Sequence, residues 1–293
     1  MLTTERVESD LGCWRLTNYA PSPGDPLRGA VERIWHFEGR LAQRAERVFP
    51  DGTLEIVVQL RGGYRPIGDV PGEPFPPLSI GGQRTAALTI EGPGTPLRIM
   101  GIRLKPLAAR ALLNASLEPL TGIDLDLHEV LGRSAAKLGE RCAEARNAAG
   151  CVATTLDWLR ARLEKAPPTP ALVARAIAQI EAGGGAQTIA ELDAFGSISR
   201  SRFTASFTGH VGVSPKRYAR IVRFRRALEL VLGGDAPLGV VAAQMGFYDQ
   251  PHMNAEFRVH AGLTPRAVRR AQRYPNSASL VGQNFQDEDA LTA

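Results

Sequence analysis

The chain has 293 residues, 44% of them hydrophobic and 22% charged, and a formal net charge of +5. This is ordinary globular composition at a length that holds two domains with separate cores, which argues against a fibrous or disordered chain. No apolar run reaches the length of a membrane span, and the first residues lack the basic-then-apolar pattern of a secretory signal, so no membrane partner is expected.

The first 105 or so residues read as β structure. EIVVQL (55–60) and LRIMGIRL (97–104) are rich in β-branched and aliphatic residues, and Gly/Pro pairs recur at short spacing between them. A sandwich or barrel follows from that pattern. Asp51-Gly52 reads as a hairpin turn. From Pro106 the character changes. Helices are expected over 106–113, with proline in the first turn, and over 134–146 and 152–165, from apolar spacing. PPTP (167–170) cannot continue a helix and acts as a stiff spacer. It divides a β-rich domain (1–166) from a helical one (171–275). The polar tail, 276–293, is expected to be disordered. Cys13, Cys142 and Cys151 are odd in number and widely spaced, with no zinc or redox spacing. They are expected to be buried free thiols in a reducing cytoplasm, without metal or cofactor.

The helical half contains a repeat. FTASFTGHVGVSPKRYAR (203–220) laid on MNAEFRVHAGLTPRAVRR (253–270) is identical at six of eighteen positions: Ala205/Ala255, Phe207/Phe257, His210/His260, Gly212/Gly262, Pro215/Pro265 and Arg220/Arg270. Each copy reads as helix, turn, helix. In the second, 238–245 is the first helix, Gly246 the turn, Asp249 the N-cap, and about 250–260 the second helix, with Met253 and Phe257 inward. Gly262 stops it. In the first copy, 188–195 is the first helix, Gly196 the turn, Phe203 and Phe207 the core pair, and Gly212 the stop. Between the copies, 216–232 forms a helix with Ile221, Phe224, Leu228 and Val231 on one stripe and arginines around it. At 1.5 Å per residue it is roughly 25 Å long. It can hold two units for successive major grooves, about 34 Å apart. Residues 188–275 hold 13 Lys/Arg against 6 Asp/Glu, so +7, which leaves 5 − 7 = −2 for the rest. That asymmetry points to a polyanion for the helical half.

GFYDQPHMNAEFRVHAGLTPRAVRR resembles the C-terminal signature of AraC/XylS-type transcription regulators, and VGVSPKRYARIVRFRRAL resembles their linker helix. Gly246-Phe247, Asp249, His252, Phe257, Gly262 and Pro265 fall on the family's motif positions. In the N-terminal half, FPDG (49–52) followed by Glu55-Ile-Val, and Gly101-Ile-Arg-Leu with its proline, are similar to a subgroup with a β-rich sensor domain. The resemblance implies an α+β chain, with an N-terminal β-barrel, cupin-like, then two helix-turn-helix units on a linker helix. It implies a DNA-binding regulator of transcription, not an enzyme, with promoter DNA as partner. RNA polymerase, a small-molecule effector and a second copy of the chain are further candidate partners. The chain departs from the family at Ala205 and Ala255, where arginine is usual, and at Ser201, Pro251, Met253 and Leu192.

Helical geometry turns Ser201, Ala205 and Thr208, and Pro251, Ala255 and Arg258, outward. The groove-facing surface is therefore small and poor in hydrogen-bonding groups, with basic residues on its flanks. Arg200 and Arg202 bracket the first recognition helix; Arg202 suits a guanine edge or a phosphate. Thr204 and Asn254 occupy equivalent flanks. His252 and Arg258 are base or phosphate candidates, and Ala205 and Ala255 suit thymine methyls. Lys216 and Arg266, with Arg217 beside Lys216, follow the prolines at helix N-termini, which attract phosphate. His210 and His260 read as structural or capping residues. Trp14, Trp35, His36, Glu55, Tyr64 and Arg103 would line an effector pocket in the barrel mouth, or else serve as core aromatics and strand-edge charges. A barrel metal site needs at least two histidines and a carboxylate, and residues 1–170 hold only His36 and His128. No catalytic triad spacing or phosphate-cradling glycine loop is present. One rival reading stays open: a diverged regulator with weak or non-specific DNA binding that works through protein partners.

Overall fold

The structure, a computed structural model, describes residues 1–9, 12–42, 45–67, 72–187 and 198–270. The first half is built on strands β1 (Leu2–Ser9), β2 (Gly12–Tyr19), β3 (Val31–Leu41), β4 (Ala45–Val48), β5 (Leu54–Arg61), β6 (Arg65–Pro66), β7 (Leu78–Gly81), β8 (Leu88–Glu91), β9 (Leu97–Leu104) and β10 (Asp124–Asp126). Seven form an antiparallel sheet in the order β1-β2-β3-β9-β5-β7-β10, and a smaller sheet has the order β4-β8-β6.

Period-two alternation sorts the large sheet's side chains. Ile34, Ile56, Val58, Met100, Ile102 and Leu104 face one way, into a core shared with helices α1 (Pro106–Leu113), α2 (Leu127–Leu131), α3 (Arg133–Glu144) and α4 (Ala148–Leu163). Trp35, Phe37, Glu55, Val57, Ile99 and Arg103 face the other way, toward the small sheet, across a cavity. The expected barrel does not close. The large sheet ends in edge strands β1 and β10, and β10's three residues run straight into α2, leaving too short a ladder to pair with the eight-residue β1.

The second half holds α5 (Ala171–Ala182), α6 (Arg200–Val211), α7 (Pro215–Gly233), α8 (Leu238–Gln244), α9 (Gln250–Ala261) and α10 (Pro265–Arg270). The helix expected over 188–195, with Gly196 and Leu192, and the tail from 276 lie outside the described residues. The apolar stripe of α7 is shared between two cores. Tyr218, Ile221 and Val222 pack with Val173 and Ile180 of α5 and Phe203 and Phe207 of α6. Phe224, Leu228 and Val231 pack with Val241 of α8, Met253 and Phe257 of α9 and Val268 of α10. Cys142 and Cys151 are buried free thiols as expected, but Cys13 is exposed. It lies on β2 one residue before buried Trp14, so alternation turns it outward.

Candidate nucleic-acid interface and internal cavity

Local chemistry fixes both described recognition helices. Ser199 caps α6, and Asp249 caps α9 by accepting from the His252 amide at 2.7 Å. Gly246 turns the chain between α8 and α9 at φ 68°, in the left-handed region where a side chain is strained. Gly212 and Gly262 end α6 and α9 in the same region. Ser214 and Thr264 cap the helices that follow.

With Phe203, Phe207, Met253 and Phe257 fully buried, the outward positions fall where helical spacing puts them. Arg200, Ser201, Arg202 and Ala205 are exposed on α6, as are Ala255 and Arg258 on α9; Thr204, His252 and Asn254 are half-buried on the flanks. Lys216 and Arg266 stand exposed in the first turns of α7 and α10. His252 is partly occupied: its Nδ1 accepts from the Tyr248 amide at 3.3 Å, and its ring meets Phe247 edge-on. Arg217 is the exception. Its guanidinium reaches back to Thr85 Oγ1 at 3.3 Å, because its place on α7 turns it toward the N-terminal half.

The other linker arginines, half-buried, are engaged by partners within the protein. Arg220 forms two hydrogen bonds, of 3.0 and 2.9 Å, to the Glu256 carboxylate on α9. Arg223 lies 4.9 Å over the Phe247 ring. Arg225 donates to the Asp51 carbonyl at 3.1 Å, and Arg226 to the Glu181 carbonyl. The basic excess of the sequence therefore overstates the charge α7 can offer a polyanion. Burial alone would push the Glu256 carboxyl up, but His260 and Arg220 outweigh it and hold its pKa at about 2. Sequence reading missed Glu256, although its place between Met253 and Phe257 on α9 puts it beside the core.

The cavity between the sheets measures about 150 Å³. Trp14, Trp35, Glu55, Tyr64 and Arg103 all line it, joined by Arg33, Phe37 and Glu46, which the sequence reading did not single out. His36 does not line it. It is the even-numbered neighbour of Trp35 on β3 and points to the helix-packed face, near Arg98. Trp35 lies flat across β9 because Gly101 has no Cβ; one there would overlap the indole. The indole donates to Glu55 Oε1 at 2.7 Å. Burial pushes the Glu55 carboxyl above the ordinary range, against that bond and nearby Arg33. Arg33 Nε and Nη2 are buried without hydrogen-bond partners, and so are Nε and Nη1 of Arg103, whose Nη2 is paired with Asp51.

Asp51-Gly52 is not a hairpin turn. β4 and β5 belong to different sheets, and 49–53 crosses between them while pressed on α7. Asp51 Oδ1 accepts from the Thr53 amide and hydroxyl at 2.9 and 2.8 Å, and Gln83 donates to the Gly52 carbonyl at 2.8 Å. Phe49 packs against Phe224, with ring centroids 6.3 Å apart. Around this contact, His260 Nδ1 hydrogen-bonds the Thr85 carbonyl at 2.8 Å, Thr121 donates to the Gly212 carbonyl at 2.6 Å, and the Leu117 amide to the Gly209 carbonyl at 2.9 Å. So His260 has the structural role expected of it, in a seam between the halves.

Residues 195–271 match the model of a helix-turn-helix domain, and residues 18–126 that of a domain of unknown function, DUF6597. Over 78 residues, 27% of this chain, it is 31% identical to a probable transcriptional regulator, LumQ, of Photobacterium leiognathi and 35% identical to the HTH-type transcriptional activator RhaR of Yersinia pseudotuberculosis. The matched segment spans 32% of the first relative and 26% of the second, so the chain covers about a third or less of their length. Among solved structures, ToxT from Vibrio cholerae aligns over 80% of this chain and 97% of its own, with TM-score 0.46 and 11% identity. The C-terminal domain of AraT from Geobacillus stearothermophilus aligns over 36% of this chain and 88% of its own, with TM-score 0.33 and 22% identity. Residues 195–271 are an AraC-type helix-turn-helix domain, carried in this chain behind a β-rich N-terminal domain.

Proposed function

We infer that this chain is a transcription regulator that binds promoter DNA through α6 and α9, and that a small molecule in the N-terminal cavity sets how firmly those helices are held. The observation that carries the second part is the double engagement of the segment around Asp51. Its side chain pairs with Arg103 on the cavity floor, and its carbonyl accepts from Arg225 of α7. A molecule that displaces Arg103 or Phe49 must disturb the seat of the linker helix, and a ligand shifts a conformational equilibrium by its differential affinity for the two arrangements. The cavity volume suits a molecule of about the size of benzene.

On the DNA side, Arg200, Arg202, Thr204, Asn254 and Arg258 supply polar contacts, Lys216 and Arg266 clamp phosphates at helix N-termini, and Ser201, Ala205, His252 and Ala255 shape the fit. Arg217 is assigned to the seam. The bare outward faces at Ala205 and Ala255 favour one second reading, a regulator whose sequence discrimination is weak. Fluorescence anisotropy with promoter and random duplexes separates the two. Equal affinities at every salt concentration would leave only the second.

A further inference from the structure

The helix-packed face of the large sheet holds a group of side chains with no part in DNA contact or in the cavity. Cys142, near the end of α3, and Cys151, in the first turn of α4, are both fully buried. They sit against each other across the α3–α4 turn, where the Cys151 thiol donates to the Cys142 carbonyl oxygen at 3.4 Å. One cationic group reaches the same sulfur. Arg98 Nη2 donates to Cys151 Sγ at 3.7 Å and to the Ala145 carbonyl at 2.8 Å, and its Nε donates to His36 Nε2 at 3.4 Å. The Cys142 sulfur is 3.9 Å from Thr155 Oγ1, which itself bonds the Cys151 carbonyl at 2.9 Å.

These contacts make the two thiols unequal. Cys142, then His36 and Arg98, favour the Cys151 thiolate over the cost of burial, while Cys151 and burial push the Cys142 thiol up. The amides of the first turn of α4 add to the stabilisation of negative charge there. Reactive cysteines sit in electropositive surroundings of this kind.

Both sulfurs are fully buried in the closed fold. Arg146 and Asn147, in the turn that joins the two helices, are exposed, and the first turn of α4 is tied down by the Asn147 side chain accepting from the Gly150 amide at 2.9 Å. Opening that one turn uncovers the Cys151 sulfur, and terminal turns open more readily than helix interiors.

We propose that Cys151 and Cys142 form a peroxide-responsive thiol pair, with Cys151 as the attacking sulfur and Cys142 as the resolving one. The Cys151 thiolate attacks a hydroperoxide oxygen. The O–O bond breaks, the sulfur is oxidised to sulfenic acid, and the peroxide leaves as water or alcohol after taking up a proton. Cys142 then attacks the sulfenic sulfur, an S–S bond forms, and the hydroxyl leaves as water with the Cys142 proton. Two thiols and one hydrogen peroxide thus give one disulfide and two waters.

The test uses the full chain, treated with hydrogen peroxide, alkylated and mapped by non-reducing peptide mass spectrometry. The proposal expects a 142–151 linked peptide lighter by two hydrogens than the reduced pair, while exposed Cys13 stays free at the same peroxide dose. Cys142→Ser should accumulate a dimedone adduct at Cys151, and Cys151→Ser should give none at Cys142. Oxidation of Cys13 with Cys142 and Cys151 left as free thiols in the unmodified chain would overturn it. So would equal adducts in the two variants. The first reading needs no substituted protein, so a variant that fails to fold leaves the proposal open to refutation.

Discussion

Asp249 fixes where the second recognition helix begins, because its carboxylate takes the His252 amide that α9 would otherwise leave unbonded. Asp249→Ala should cost about 1 kcal/mol of stability, read as a lower urea midpoint at unchanged slope. Glu256 acts at the other side of the same helix. Its carboxyl is held at about 2, well below the value of about 4.3 in an unfolded chain. A depressed carboxyl contributes stability that is full above the unfolded value and is lost as pH falls toward the folded one. Acid titration between about pH 4.5 and 2 should therefore show a loss of stability that Glu256→Gln lacks; parallel curves for the two proteins would refute the assignment. Lys216 and Arg266, exposed at helix N-termini, are assigned to phosphates. Alanine at either should weaken specific and random duplexes alike and lower the salt slope by about one. At this scale, capping residues were legible in the sequence because a cap is a local event. The Arg220–Glu256 and Arg217–Thr85 contacts were not, since they join residues 36 and 132 apart.

The linker helix α7 is the element on which both helix-turn-helix units depend. Its apolar stripe lies in the first core at Ile221 and in the second at Phe224, where the ring is packed by Phe257, His260 and Phe49. Phe224→Ala should cost about 3–5 kcal/mol, measured by thermal or urea unfolding. A loss under 1 kcal/mol would mean that this end of α7 is not packed as described. The longer helices and their stripes were readable from spacing, though α2 was not, and β5 and β9 were readable from their β-branched and aliphatic composition. Sheet closure was not readable. Strand composition says which residues make ladders, not which strand becomes an edge, and the split of β4, β6 and β8 into a second sheet depends on long-range pairings such as Arg65 with Glu91 and Ala45 with Glu91. The same limit hid the true path of Asp51-Gly52. For the cavity, five of six candidates line it: Trp14, Trp35, Glu55 and Arg103 because alternate residues of a strand share a face, and Tyr64 from the turn between β5 and β6. His36 failed on that alternation.

Across the whole molecule, the two halves meet where the cavity wall and the linker helix use one segment, 49–53. The charge of the helical half is divided the same way. Arg217, Arg220, Arg223, Arg225 and Arg226 hold the protein together, and the basic residues left outward are those flanking α6, α9 and the two proline-started helices. DNA affinity should therefore be modest, with a salt slope set by those few contacts rather than by the net charge of +7 over residues 188–275. The most direct test is a fluorescence anisotropy titration of the full chain against the DNA upstream of its own gene and a random duplex of equal length, at several salt concentrations. The account predicts a preference for the upstream DNA of about 10³ or more that persists as salt rises, since base contacts specify and phosphate contacts do not. Equal affinities that fall together with salt would contradict it.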